Sequence, residues 1–198
     1  RMTVRDEFEH VLFFLTDVIY RVVPVFYEML ERALVKVFGD LTEKIRIPVL
    51  IRFGSWVGGD MDGNPNVSAA TIRATLASQR QAILARYAAE LSRLEDVLTQ
   101  CPSRIKVEDA VFERCDVYGK ALPEALETIP PRHRNMPYRI LCRLMAARLR
   151  ATSEDRSNGY ADAASFLDDL EVIADSLRKN RGSNAGLFGI RRLAWRVR

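Results

Sequence analysis

The residues best placed to do chemistry lie in one stretch, Arg52-Phe-Gly-Ser-Trp-Val-Gly-Gly-Asp-Met-Asp-Gly-Asn-Pro-Asn66. It brings four glycines, a tryptophan, two aspartates and a cation together between an apolar run and a long helical pattern. Glycine lets a backbone turn tightly or approach a ligand closely, and an aromatic ring can wall an apolar pocket. No G-x-x-x-x-G-K-[ST] occurs, which excludes a phosphate-cradling P-loop. Asp60-x-Asp62-x-Asn64 opens like a calcium loop, but Pro65 stands where glycine is needed and Thr71 where glutamate is needed. Two readings remain at this point. Either the stretch is a tight multiple turn in which Asp and Asn side chains bond nearby amides, or it is a loop that touches a ligand.

Other reactive side chains are sparse. His10 and His133 are the only histidines, and Cys101, Cys115 and Cys142 form no C-x-x-C pair. That inventory speaks against a zinc site and against a disulfide framework, and it fits a reducing cytoplasm. The net charge is +4, with arginine far outnumbering lysine. Acidic residues are interspersed throughout, so the arginines read as a solvated helix face, or as a surface whose acidic partner lies elsewhere in a larger protein. Nucleic acid is not expected. No unbroken run of about 18 apolar residues occurs, and no membrane span is expected. Position 1 is not Met, which fits a chain cut from something longer.

The elements that must hold this stretch are mostly helices. Apolar residues recur at helical spacing over 3–38, from Val4 through Phe26 to Val37. Thr3 and Asp6 mark the start, Pro24 is expected to kink or divide the helix, and Gly39-Asp40 stops it. Residues 45–53 are β-branched and extended, with no second strand in the sequence to pair with. Ser68 caps a helix over 69–99 whose stripe runs from Ile72 to Leu98. Further helices are expected over 104–128 (divided near 118–121), 138–152 with Pro137 in its first turn, 166–179 capped by Ser165, and 187–197. Ser153–Gly159 reads as a polar, mobile loop. The fold class is predominantly all-α.

The stretch Phe53–Asn66 closely resembles the F-G-S-W-x-G-G-D-x-D-G-N-P signature of phosphoenolpyruvate carboxylase. Three more segments agree in order: Thr3-Val-Arg-Asp-Glu7, Pro137-Tyr-Arg139 and Leu187-Phe-Gly-Ile-Arg-Arg192. Met61 departs from the arginine that many members carry between the two aspartates. The resemblance implies a single internal piece, residues 1–198, of a much longer cytoplasmic enzyme, a homotetramer under allosteric control, built of helices around a barrel to which 45–53 would belong. That enzyme condenses phosphoenolpyruvate with bicarbonate to give oxaloacetate and phosphate, using Mg²⁺ or Mn²⁺. Its T-A-H-P-T-E segment would lie upstream of Arg1, and its G-Y-S-D-S and G-R-G-G-S segments and metal carboxylates downstream of Arg198. Neither histidine here matches the catalytic one, so the chain is expected to hold no catalytic residue, to bind no metal and to be inactive alone. The resemblance assigns Trp56 to the substrate pocket. Arg52 is a candidate for the same pocket, with a structural ion pair as its other reading. Gly54, Gly58, Gly59, Asp60, Asp62, Gly63 and Asn64 are read as shaping the loop. Cut from its parent, the segment 45–57 should expose apolar surface. The reading from another class is an independent all-α binding or scaffold domain, with its arginines facing an acidic partner or nucleic acid.

Overall fold

A computed structural model describes residues 4–39, 41, 45, 47–59 and 67–198. Helices make up 74% of the chain, and no strand or sheet forms among the described residues. The chain divides into two compact units, residues 1–83 and 84–198.

In the first unit, α1 (Val4–Phe13) runs into a π-helical segment (Phe14–Ile19) and then α2 (Tyr20–Phe38). The first helix divides, but at the π segment rather than at Pro24, which stays inside α2 with its ring buried. A proline removes one ladder bond and crowds the turn before it, and a widened turn upstream is one way a helix absorbs that strain. The Tyr20 amide accordingly reaches back five residues to the Leu15 carbonyl. Within the widened turn Thr16 Oγ1 donates to the Leu12 carbonyl (2.9 Å) and pairs with Asp17. Gly39 ends α2, while Thr3 and Asp40 lie outside the described residues.

Residues 47–56 are neither helical nor paired in a ladder. Among the described residues the expected strand finds no second strand to take its amides and forms no ladder. One of them, Leu50 N–H, is taken instead by the Tyr27 hydroxyl of α2 at 2.9 Å. Ser68 and Thr71 then exchange side-chain and backbone bonds across the start of α3 (Ala69–Val97), as the cap reading requires.

Few apolar residues of this unit are covered. Phe8, Tyr20 and Tyr27 are buried, but among the described residues seventeen of the twenty-two large apolar side chains that stand exposed belong to this unit. They include Phe13, Phe14, Val22 and Met29, together with Ile45, Val49, Leu50, Phe53 and Trp56 of the expected apolar segment. Val4–Phe38 also contains an 18-residue stretch long and apolar enough to cross a membrane by composition, 17% of it buried. Reading unbroken runs misses that stretch, because Asp17 and Arg21 interrupt it while pairing with each other at 3.6 Å.

The second unit holds a closed core. The rest of α3 packs with α4 (Asp109–Ala121), α5 (Pro123–Glu127), a 3₁₀ turn (Pro131–His133), α6 (Pro137–Ser153), α7 (Ala163–Asn180) and α8 (Asn184–Val197). Leu91, Leu98, Leu141, Leu144, Met145, Leu170, Ile173 and Ile190 are almost wholly buried in it. Each such side chain removed from water contributes about 1.5–3 kcal/mol. The helical stripe of α3 is thus covered from Leu84 onward, whereas Leu76 stays exposed.

Three helix starts differ from expectation. α4 begins at Asp109, with Glu108 at its N-cap, rather than at 104. α7 begins earlier, at Ala163, because the Asp162 carboxylate accepts from Ser165 N–H (2.7 Å) and from its hydroxyl. An anion at a helix N-terminus also meets the helix dipole favourably. α8 likewise starts at Asn184, with Ser183 Oγ accepting from Gly186 N–H (3.0 Å).

Candidate functional site

The segment carrying Arg52 and Trp56 is shaped by four local devices in the first unit. Tyr27 holds the backbone at Leu50. Ser55 Oγ accepts from Val57 N–H at 3.2 Å. Gly59 N–H donates to the Trp56 carbonyl at 2.9 Å, closing a turn over 56–59. Its third residue, Gly58, has φ of 75°, the left-handed value that a type II turn requires there. A Cβ on Gly58 would also run into the Thr75 hydroxyl of α3. Glycine is therefore required twice over at this position, by conformation and by contact.

Gly54 meets nothing within 4 Å and has no positive φ, so nothing in the described surroundings demands glycine there. A Cβ on Gly59 would meet only the Trp56 carbonyl oxygen, at an ordinary 3.6 Å. Asp60, Met61, Asp62, Gly63 and Asn64 lie outside the described residues.

Trp56 is 82% exposed and Arg52 is exposed as well. An indole placed this way is positioned by its backbone rather than by packing around its ring. His10 is exposed on α1, where it stacks on Phe14 with ring centroids 6.3 Å apart. His133 belongs to the second unit, where its Nε2 accepts from Arg132 Nε at 3.1 Å. Desolvation and the neighbouring Arg139, Arg132 and Arg143 push its pKa down. Among the described residues, no three His, Cys, Asp or Glu side chains gather closely enough to hold a metal ion.

The second unit contains polar clusters that periodicity did not reveal. Asp169 on α7 is fully buried, and the Tyr118 hydroxyl donates to both of its oxygens (2.7 and 2.9 Å). Tyr160 donates to it at 2.7 Å, Arg114 pairs with it at 3.1 Å and Arg148 at 3.4 Å. The Arg148 guanidinium lies between two rings, 4.2 Å from the Tyr118 centroid and 4.0 Å from that of Tyr160. Burial pushes the Asp169 carboxyl up, while the two hydroxyls and two guanidinium groups pull it back.

Arg148 also donates to the Gly159 carbonyl (3.3 Å), and Tyr160 N–H donates to Thr152 Oγ1 (2.7 Å). A Cβ on Gly159 would come within 2.7 Å of the Thr152 amide nitrogen. The 153–159 loop, read from its polarity as mobile, is strapped to the end of α6. A second cluster joins Glu95 to Arg143 through two bonds of 3.0 and 3.2 Å, and Arg139 meets Asp96 at 3.1 Å. Arg114, Arg139, Arg143 and Arg148 thus meet acids within their own unit. Their acids lie far away in sequence, so spacing alone could not find them.

The profile of the phosphoenolpyruvate carboxylase family matches residues 1–198. A phosphoenolpyruvate carboxylase of Xanthomonas campestris pv. campestris (strain 8004) is 50% identical over 198 residues, covering 100% of this chain and 22% of that relative. One from Xanthomonas oryzae pv. oryzae (strain MAFF 311018) is 49% identical over the same shares. One from Burkholderia mallei (strain SAVP1) is 32% identical over 203 residues, covering 93% of this chain and 19% of that relative. The chain spans about a fifth of the length of these relatives. With its profile matched from end to end, it belongs to the phosphoenolpyruvate carboxylase family.

Proposed function

We propose that this chain acts as an internal part of a phosphoenolpyruvate carboxylase and that its Trp56 segment supplies one wall of that enzyme's active site. The whole reaction joins phosphoenolpyruvate and bicarbonate to give oxaloacetate and phosphate. The observation that carries the reading is the exposed indole of Trp56, held by a backbone fixed on both sides and left without cover by its own unit. A reactive enolate must be kept from water, and a flat apolar ring at the edge of the reacting centre does that. Excluding water also strengthens every nearby electrostatic interaction.

Arg52, four residues before the tryptophan, is a candidate to meet an anionic group on the same side of the segment. The general acid–base group and the donors for Mg²⁺ or Mn²⁺ belong, on this reading, to other parts of the polypeptide. Among the described residues no three His, Cys, Asp or Glu side chains gather to fit a divalent cation. The open face of the first unit is consistent with cover by the rest of the polypeptide. The three thiols, all free, suit a cytoplasmic enzyme, and a tetrameric, allosterically controlled assembly follows only from the family likeness. Family membership favours this reading over that of an independent scaffold domain.

A coupled assay tests the proposal. Oxaloacetate is followed through malate dehydrogenase, with phosphoenolpyruvate and bicarbonate supplied. A complete enzyme carrying this chain should turn over, and the 198-residue chain alone should not. Turnover by the isolated chain, or none by the complete enzyme, would overturn the reading.

A further inference from the structure

We infer that Tyr27 is a positioning residue for Trp56, the upstream half of a two-point clamp on the segment 50–58. The inference rests on the reading that this segment walls the active site, and it adds what holds the wall in place. Two observations carry it. Tyr27 is 2% exposed on α2, so its ring is fixed by packing and its hydroxyl has a defined position. That hydroxyl accepts the Leu50 N–H at 2.9 Å across 23 residues of sequence.

The downstream point is Gly58, pressed against Thr75 of α3 in a turn that returns the chain to Trp56 through Gly59. Between these points the indole is 82% exposed and cannot position itself. Its place is therefore set by the backbone on either side, six residues upstream and two residues downstream.

Tyr27→Phe tests this most cleanly, since it deletes only the hydroxyl and keeps the packed ring. The first readout is amide hydrogen exchange in the peptide covering 47–53, with α6 and α7 as internal references. The second is the fluorescence anisotropy of Trp56 in a Trp195→Phe background, which leaves a single indole. The clamp predicts exchange faster by about fivefold, the weight of one net hydrogen bond, together with lower anisotropy and unchanged exchange in α6 and α7. A lower melting temperature with unchanged exchange at 47–53 or unchanged anisotropy would mean a merely structural tyrosine, and the inference would fall.

A kinetic arm separates this inference from the function it rests on. In a complete enzyme carrying this chain, Tyr27→Phe should lower kcat/KM in the same direction as Trp56→Ala, and by less. If the segment loosens but Trp56→Ala leaves kcat/KM intact, the clamp stands and the active-site reading fails.

Discussion

Asp169 illustrates how a single residue can organise a unit. It is a carboxylate removed from water, and only the hydroxyls of Tyr118 and Tyr160 and the guanidinium groups of Arg114 and Arg148 make that tolerable. Removing one partner of a buried pair leaves the other charge uncompensated, which costs far more than the pair contributes net. Asp169→Ala should therefore destabilise the second unit by about 3–5 kcal/mol. Tyr160→Phe, which deletes one neutral donor, should cost about 0.5–1.5 kcal/mol. Urea denaturation of both variants checks the order, and equal losses would mean that the cluster does not behave as a charged network.

The cysteines divide just as sharply. Burial pushes the Cys115 thiol up to about 12 and raises Cys142 further, whereas the Ser103 side chain and the nearby Arg104 hold Cys101 below its ordinary value. Only thiolate reacts, and its fraction rises with pH through each pKa. At pH 8 an aromatic disulfide reagent should titrate one thiol rapidly in the folded chain and all three after denaturation. Two or three fast thiols before unfolding would contradict this assignment.

At the scale of elements, what the sequence could reveal was whatever is decided locally. The stop at Gly39, the Ser68 box and Pro137 in a first turn each depend on neighbours a few residues away, and each stands where its spacing puts it. The start of α7 lies three residues before its expected place because Ser165 and Asp162 are both good caps. The carboxylate wins by accepting from the serine itself. Ser183 went unnoticed as a cap because glycine and asparagine around it read as loop. Ser183→Ala should cost about 1 kcal/mol of stability, measurable as a lower urea midpoint, and no change would mean that α8 is held by packing alone. Three features were beyond reach of periodicity: the π segment, the strap over 153–159 and the Tyr27–Leu50 bond. The Tyr27–Leu50 bond joins residues 23 apart, while the π segment and the strap depend on backbone strain and polar contacts that apolar spacing does not encode. The loop signature itself was legible to the residue. Gly58 explains one of its glycines physically, while nothing in the described surroundings explains Gly54.

At the scale of the whole molecule, the two units differ in how complete they are. The buried core lies wholly within residues 84–198, while the first unit leaves its α1–α2 face and the 45–56 segment open. Residues 84–198 expressed alone should melt cooperatively with helical circular dichroism, and residues 1–83 alone should not, because exposed apolar faces favour association over a unique fold. A cooperative, monomeric 1–83 would refute that asymmetry. The open unit is the one that carries Trp56, whose indole we propose to wall a reaction centre completed by other parts of a larger enzyme. Steady-state kinetics and melting temperature of Trp56→Ala, measured on a complete enzyme carrying this chain, decide between a wall and a packing residue. A wall acts mainly on the transition state, so kcat/KM should fall by about tenfold or more, roughly 1.4 kcal/mol, with the melting temperature nearly unchanged. A lower melting temperature with normal kcat/KM per folded molecule would make Trp56 a packing residue and contradict the account.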